Sequence, residues 1–462
     1  MLTSKKEYQY NYDLYPKVVI EGEPVTVTIR PLGRHAAFQP DVEYRMVVQP
    51  REDRDLLSSL TAPETPYAKE FSLRPDADGC LRFPFTFTGE GAWFIRFFEP
   101  EAEKNLAYVV LYSLHEDMRG RYPYLGEMHL HSTVSDGHQE PGIVMAALRQ
   151  LGYDFTVLSD HRRYYGSLEA MQAFEGVPID LNIVPGEECH LPNIVVHIVN
   201  FGGKWSVNSL IDTCPAYEER GSDPRWHSLN GEMPPAISED EYRRQVMEIA
   251  DKLPELPPKV DRFTYAACLW IFDRIREAGG LGILAHPFWV YRHAFNVGLP
   301  LAEHLLRTHP FDAFELFGGE HAPDMDELQL YAYVKARAEG IDFPVVGSSD
   351  SHNCTDLNPI RSVGQTIVFA KQNERQALID AVKEQYSVAV DNCSKEFRLG
   401  GAFRFVSYGR FLKNEWFPLH DELCFEEGRL MREHVLGDPD AKAQLAALHG
   451  RVEKLMKKYF AI

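Results

Sequence analysis

This sequence is short of several things. Its cysteines, Cys80, Cys189, Cys214, Cys268, Cys354, Cys393 and Cys424, are scattered over 462 residues, odd in number and without a CxxC pair. That excludes a disulfide framework and fits free thiols in a reducing compartment. No apolar run reaches the roughly 18 residues of a membrane helix. The opening segment MLTSKKEYQYNYDLYP carries no apolar stretch of the secretory-leader kind. A cytoplasmic protein with no membrane partner is therefore expected. Basic residues are scarce too: 48 Lys and Arg face 68 Asp and Glu, a net charge of −20. Extended nucleic-acid binding needs clustered cations and is excluded. An anionic small molecule is not excluded, because bound metal ions reverse the local sign of charge. Internal repeats and low-complexity tracts are absent, and the composition leaves the oligomeric state open.

What remains is ordinary globular material, 44% hydrophobic and 25% charged. At about 100–200 residues per domain, two or three domains are expected. Up to about residue 118 the pattern is that of strands. In Val25–Arg30 apolar and polar residues alternate, as do Leu81, Phe83, Phe85 and Phe87 with Arg82, Pro84, Thr86 and Thr88. A period of two sends one set to a core and the other to solvent, which predicts a small β-sandwich over 1–118. Pro84 cannot donate to a ladder, so its strand belongs at an edge. Pro75-Asp76-Ala77-Asp78-Gly79 is a turn between two strands.

From 119 to 392 short apolar strands alternate with helices. Strands are predicted at 124–131, 154–159, 182–187, 194–200, 282–286, 312–317 and 343–348. Helices are predicted near 141–151, 262–278, 324–339 and 372–386. Such alternation means parallel strands with helical crossovers, in a barrel or an open sheet. An insertion at 203–261, rich in Pro and Trp, is expected to cover part of the site, with Trp205, Trp226, Tyr217 and Tyr242 as apolar walls. The extension 393–462 reads as aromatic strand-like pieces and then a charged helix near 439–459.

The chemistry collects at strand ends. His129 and His131 lie two apart on a strand, so both imidazoles face the same way and can reach one ion. A Ser135-Asp136-Gly137 turn follows. Asp160-His161 ends the next strand, and Gly186-Glu187-Glu188 ends another. His197 sits within an apolar strand, Ala285-His286-Pro287 closes a further one, and Ser349-Asp350-Ser351-His352 the last. In a β/α barrel such ends converge on one mouth.

This ordered set resembles the polymerase and histidinol phosphatase (PHP) family over residues 122–202 and 262–392. The resemblance implies a distorted (β/α)7 barrel and two to three divalent metal ions (Zn, Mn or Fe). By analogy His129, His131, Glu188 and Asp350 share one ion. Glu188 bridges to a second ion held by His197 and His286, and Asp136, His161 and His352 hold a third. Glu188 is chosen over its neighbour Glu187 because the family spacing is Gly-x-Glu. The implied activity is hydrolysis of a small phosphate ester, or another anionic substrate, by a metal-activated hydroxide. Asp160 would orient a ligand or shuttle a proton, and Arg163, with Arg162, would hold a phosphate. Arg292 and His293 invite the same reading. A sub-branch similar to carbaryl hydrolases also places a β-rich region before the barrel, so hydrolysis of a carboxylic or carbamate ester is the alternative. A non-catalytic PHP binding module is the reading from a different class.

Overall fold

The computed structural model describes residues 5–51, 68–99, 106–220, 233–318, 323–355, 364–392 and 398–462. The chain forms two compact units. One holds Met1–Arg121, Ser407–Leu423 and Gly450–Ile462; the other holds Tyr122–Val406 and Cys424–His449.

The first unit contains two sheets. Tyr12–Tyr15, Pro24–Pro31 and Leu81–Thr86 form a three-stranded antiparallel sheet in that order. The six-stranded sheet runs Phe460–Ala461, Val18–Ile20, Ala107–Leu114, Gly91–Phe98, Tyr44–Pro50 and Lys69–Leu73. One core joins them: Val27, Ile29, Leu81 and Phe83 from the small sheet, with Met46, Val48, Ile95, Phe97 and Leu111 from the large one. The period-two reading holds along 81–84, where Leu81 and Phe83 are buried and Arg82 and Pro84 exposed. Pro84 does lie on an edge strand. In the turn before it, the Asp76 carboxylate accepts the N–H groups of Asp78 and Cys80 at 2.9 and 3.0 Å. Gly79 takes a φ of +72°, which favours glycine.

The tail departs from expectation. Beyond 398 the aromatic pieces are helical, in Phe403–Glu415 and Phe417–Val435. Phe405, Tyr408, Phe411 and Leu412 are buried at helical spacing, not alternately. The single helix expected over 439–459 is two, Ala441–Leu448 and Arg451–Tyr459, broken at Gly450 with φ +77°.

The second unit is mixed α/β. Its six-stranded sheet runs Asn182–Val184, Phe155–Val157, Tyr122–Glu127, Gly364–Ala370, Ser387–Asp391 and Arg398–Gly400. Its five-stranded sheet runs Gly186–Cys189, Ile198–Phe201, Leu281–Leu284, Ala313–Phe317 and Val345–Gly347. Four strand pairs in these sheets are parallel with helical crossovers. Five are antiparallel, among them Gly186–Cys189 with Ile198–Phe201, Ile198–Phe201 with Leu281–Leu284, and Tyr122–Glu127 with Gly364–Ala370, so the parallel arrangement expected from the alternation holds only in part. Among the described residues neither sheet closes into a barrel. Two isolated bridges, Leu130 to Ser351 and His161 to Glu188, link strand ends.

The described part of the insertion is not a layer of exposed aromatics. Trp205, Leu210, Cys214, Tyr242, Val246 and Ala250 join the core that also contains Trp270 and Ile271 of helix Arg262–Glu277. Tyr242 meets Trp270 edge-on at 5.2 Å. The walls expected from Trp205 and Tyr242 are thus core packing, Tyr217 is exposed, and Trp226 lies outside the described residues. The helix Glu239–Lys252 starts where Ser238 Oγ accepts the Glu241 N–H. No helix among the described residues is long and apolar enough to cross a membrane.

Candidate metal centre

Two strand ends are zipped together at the heart of the second unit. The Asp350 N–H donates to the His129 carbonyl at 2.8 Å, and the His131 N–H to the Ser351 carbonyl at 2.9 Å. Beneath them Glu127 is fully buried and accepts the N–H groups of Met128, His129 and Ser349 at 3.0, 3.1 and 3.0 Å. Burial pushes its pKa up to about 8, although the bonds from Ser349 and His129 pull the other way. Asp350 and His286 both adopt left-handed backbone, with φ of +51° and +20°. Strained backbone of this kind gathers at functional sites.

Glu188 is the hub. Its Oε2 lies 3.3 Å from His129 Nε2, 3.5 Å from His131 Nε2 and 2.7 Å from His161 Nδ1. Its Oε1 lies 2.8 Å from His197 Nδ1, 3.1 Å from His190 Nε2 and 3.9 Å from His286 Nε2. Asp350 Oδ1 is 2.9 Å from His131 Nε2 and 3.2 Å from His129 Nε2, while its Oδ2 is 3.5 Å from His286 Nε2. On the outer side Asp136 is 3.6 Å from His161 Nε2 and 3.5 Å from His352 Nε2. The structure therefore brings every sequence-named ligand candidate into one cluster. Within it, His129, His131, Glu188 and Asp350 form one close set of donors, and His131, Asp136, His161 and His352 another.

Burial and charge compete here. Burial works against charge on Glu188, but His161, His197, His129 and His190 outweigh it and hold its pKa well below the usual carboxylate range. His129 is deeply buried, yet Asp350, Glu188 and Glu315 lift its pKa well above that of free imidazole. His161, opposed by burial, is lifted by Glu188 to about 9. His286 goes the other way: burial drives it down to about 3, leaving a neutral ring with a lone pair.

The donor set suits divalent cations. His129 Nε2, both Glu188 oxygens, His197 Nδ1 and His286 Nε2 are buried and make no hydrogen bond. Metal–nitrogen bonds of 2.0–2.1 Å put neighbouring donors about 3.4 Å apart on a tetrahedral ion, and the spacings from Glu188 to His190, His129 and His131, 3.1, 3.3 and 3.5 Å, fall near that. Mixed nitrogen and oxygen donors without sulfur fit Zn, Mn or Fe alike.

The side chains of Asp160 and Arg163 are both held by protein partners. Both oxygens of buried Asp160 are engaged, by Ser132 N and Oγ at 2.8 Å and by Ser135 N and Oγ at 3.3 and 2.8 Å. Asp160 anchors the turn that carries Asp136, the ligand-orienting one of its two expected roles. A Cβ on Gly166 would fall 1.9 Å from this carboxylate, so only glycine fits there. Arg163 is bound to Glu219 at 3.0 Å, and Glu219 also accepts the Tyr164 and Tyr165 N–H groups. Arg292 and His293 form the exposed turn of a small hairpin, both with positive φ. That hairpin follows Trp289, whose ring lies 5.7 Å from His197 and 5.9 Å from His286.

Sequence reasoning missed His190 and Glu315. His190 stands two residues after Glu188 on the same strand run, the spacing that also relates His129 to His131, and that period was the available signal. Glu315 is the lone acid in the buried strand Ala313–Phe317, and its Oε2 lies 2.8 Å from His129 Nδ1. A carboxylate on the far nitrogen of a metal-binding histidine fixes its tautomer and orientation.

No family model and no curated protein matches the chain. Among solved structures it is similar to a two-domain protein from Bacteroides vulgatus containing a predicted PHP-like metal-dependent phosphoesterase. Identity is 14% and the TM-score 0.37, over 58% of this chain and 65% of that one. This chain thus spans just under two thirds of that protein's length. An amidohydrolase from Chromobacterium violaceum, with sulfate and no metal bound, is 20% identical with a TM-score of 0.28, over 49% of this chain and 87% of that one. Likeness at this level transfers no residue roles.

Proposed function

We propose that the chain is a metal-dependent hydrolase acting on a small phosphate ester. The supporting observation is the set of buried donor atoms on His129, Glu188, His197 and His286 that face one another without hydrogen bonds. An unsatisfied buried polar atom costs about 1–3 kcal/mol, so several in one place call for an occupant. Two to three divalent ions there would supply Lewis-acid charge and a water acidic enough to ionise near neutral pH.

The chain's own residues do the rest. Glu188 offers one oxygen to each side of the cluster, and Asp136 and Asp350 add the other carboxylates. Their combined negative charge is smaller than that of three divalent ions, so the site favours an anion within an acidic protein. Glu315 holds His129, and Asp160 holds the Asp136 turn. Trp289 gives the His197 and His286 side an aromatic wall. In this reading the two sheets are opposite walls of a distorted (β/α)7 barrel, and the Leu130–Ser351 and His161–Glu188 bridges support that.

Elemental analysis after chelator-free purification is expected to find at least two transition-metal ions per chain. Turnover is expected on phosphate esters and not on aryl carboxylic or carbamate esters. His286→Ala and Asp350→Asn are expected to abolish it while the fold survives. Less than about half an ion per chain, unrestored by added metal, would sink the site; turnover on carbonyl esters alone would overturn the choice of substrate.

A further inference from the structure

Seen from Glu188, the donors on its two sides are unequal in number if only the family-like ligands are counted. Oε2 faces His161, His129 and His131, while Oε1 faces His197 and His286. His190 adds a third imidazole on the Oε1 side. Its Nε2 is 3.1 Å from Glu188 Oε1, the oxygen that His197 Nδ1 approaches at 2.8 Å. The two rings lie 4.1 Å apart, and His190 Nε2 is also 3.1 Å from His161 Nδ1.

The placement of His190 is built. Its N–H donates to Asn208 Oδ1 at 3.1 Å, and Asn208 Nδ2 donates to the Glu188 carbonyl at 3.0 Å and to Glu187 at 2.8 Å. Asn208 belongs to the start of the insertion, in the short turn Asn208–Leu210. One buried side chain therefore clamps the backbone on both sides of Cys189, with His190 and Glu188 on the same face.

We propose that His190 is a metal ligand through Nε2, joining Glu188 Oε1, His197 and His286 around one ion. This rests on the metal-dependent reading above. The set becomes three imidazoles and one carboxylate, which is four protein donors, as a tetrahedral ion takes. The ion on this side is then held more tightly than by two histidines, and the insertion governs its retention through Asn208.

The full-length chain, stripped with chelator and dialysed, is titrated with Co(II) by calorimetry and visible absorption. The wild type is expected to take up at least two ions. His190→Ala is expected to lose tenfold or more affinity for one of them, with altered ligand-field bands, and to keep the other. Asn208→Ala is expected to weaken the same ion by a smaller factor. Crystals of the Zn(II)-loaded wild type, read at the zinc edge, are expected to place an ion about 2.0–2.3 Å from His190 Nε2. Equal affinities and spectra in His190→Ala, or an ion more than about 3 Å from Nε2, overturn the assignment and leave the hydrolase reading standing. Absence of metal uptake by the wild type overturns both. The zinc-edge map decides the matter even where the alanine variant does not fold.

Discussion

Successive residues of a strand face opposite ways, and the pair Glu187 and Glu188 puts one carboxylate into each of two jobs. Glu188 meets imidazoles. Glu187, equally buried, accepts from Ser206 Oγ, Val207 N, Asn208 Nδ2 at 2.8 Å and Asn200 Nδ2 at 3.2 Å, and so pins the start of the insertion. Glu187→Gln is expected to lower stability by about 1–3 kcal/mol while metal stays bound, since it leaves a charge-assisted network half satisfied. Glu188→Gln is expected to lose metal from both sides with a smaller change in melting temperature. Elemental analysis beside thermal unfolding checks the contrast. Asp326, outside the ligand set, offers a pH test. It is buried, accepts the Gly318 N–H at 2.9 Å, and burial lifts its pKa to about 8. The folded state thus keeps its proton where the unfolded chain has lost it. The stabilisation is complete below about pH 4, the unfolded value, and is lost as pH rises through about 8. Asp326→Asn keeps an acceptor and no charge, so its melting temperature is expected to fall less than wild type between pH 5 and 8. Parallel curves would contradict that. The ligand candidates were legible because each motif is local and sits at a strand end. Glu315 was not, because its partner is 186 positions away in the chain.

Helices pack closely only where side chains leave room, and Gly428 supplies that room. A Cβ there would stand 2.3 Å from Gln150 N and 2.8 Å from Ala146 O, so the backbones of Phe417–Val435 and Pro141–Gln150 nearly touch. The buried Arg149–Glu427 pair at 2.7 Å lies next to this crossing. Gly428→Ala is expected to destabilise by about 1–3 kcal/mol, as overpacking does, seen as a lower denaturation midpoint with an unchanged slope. Element type was readable where the apolar period was long, as in Arg262–Glu277. It failed for Gly364–Ala370 and Ser387–Asp391, which carry short, fully buried runs. Such runs show no alternation, because both faces of the strand are covered.

At the scale of the whole chain, the first unit is closed by residues from the far end of the sequence. Val18 and Val19 pair with Phe460 and Ala461, the Lys17 N–H donates to the Tyr459 carbonyl at 2.7 Å, and Tyr459 Oη donates to Asp13 at 2.7 Å. No local pattern announces a two-residue strand, so this return was illegible in the sequence. Deleting 451–462 is expected to leave Val18–Ile20 as a bare sheet edge and to yield aggregating protein, checked by light scattering. A soluble truncation with an unchanged melting profile would show the return to be dispensable. The same pairing sets a timetable during synthesis. At about 5–20 residues per second, some 20–90 seconds separate the emergence of Val18 from that of Phe460. Throughout that interval Val18 and Val19 lack the pairing that Phe460 and Ala461 supply, and that side of the sheet stays open.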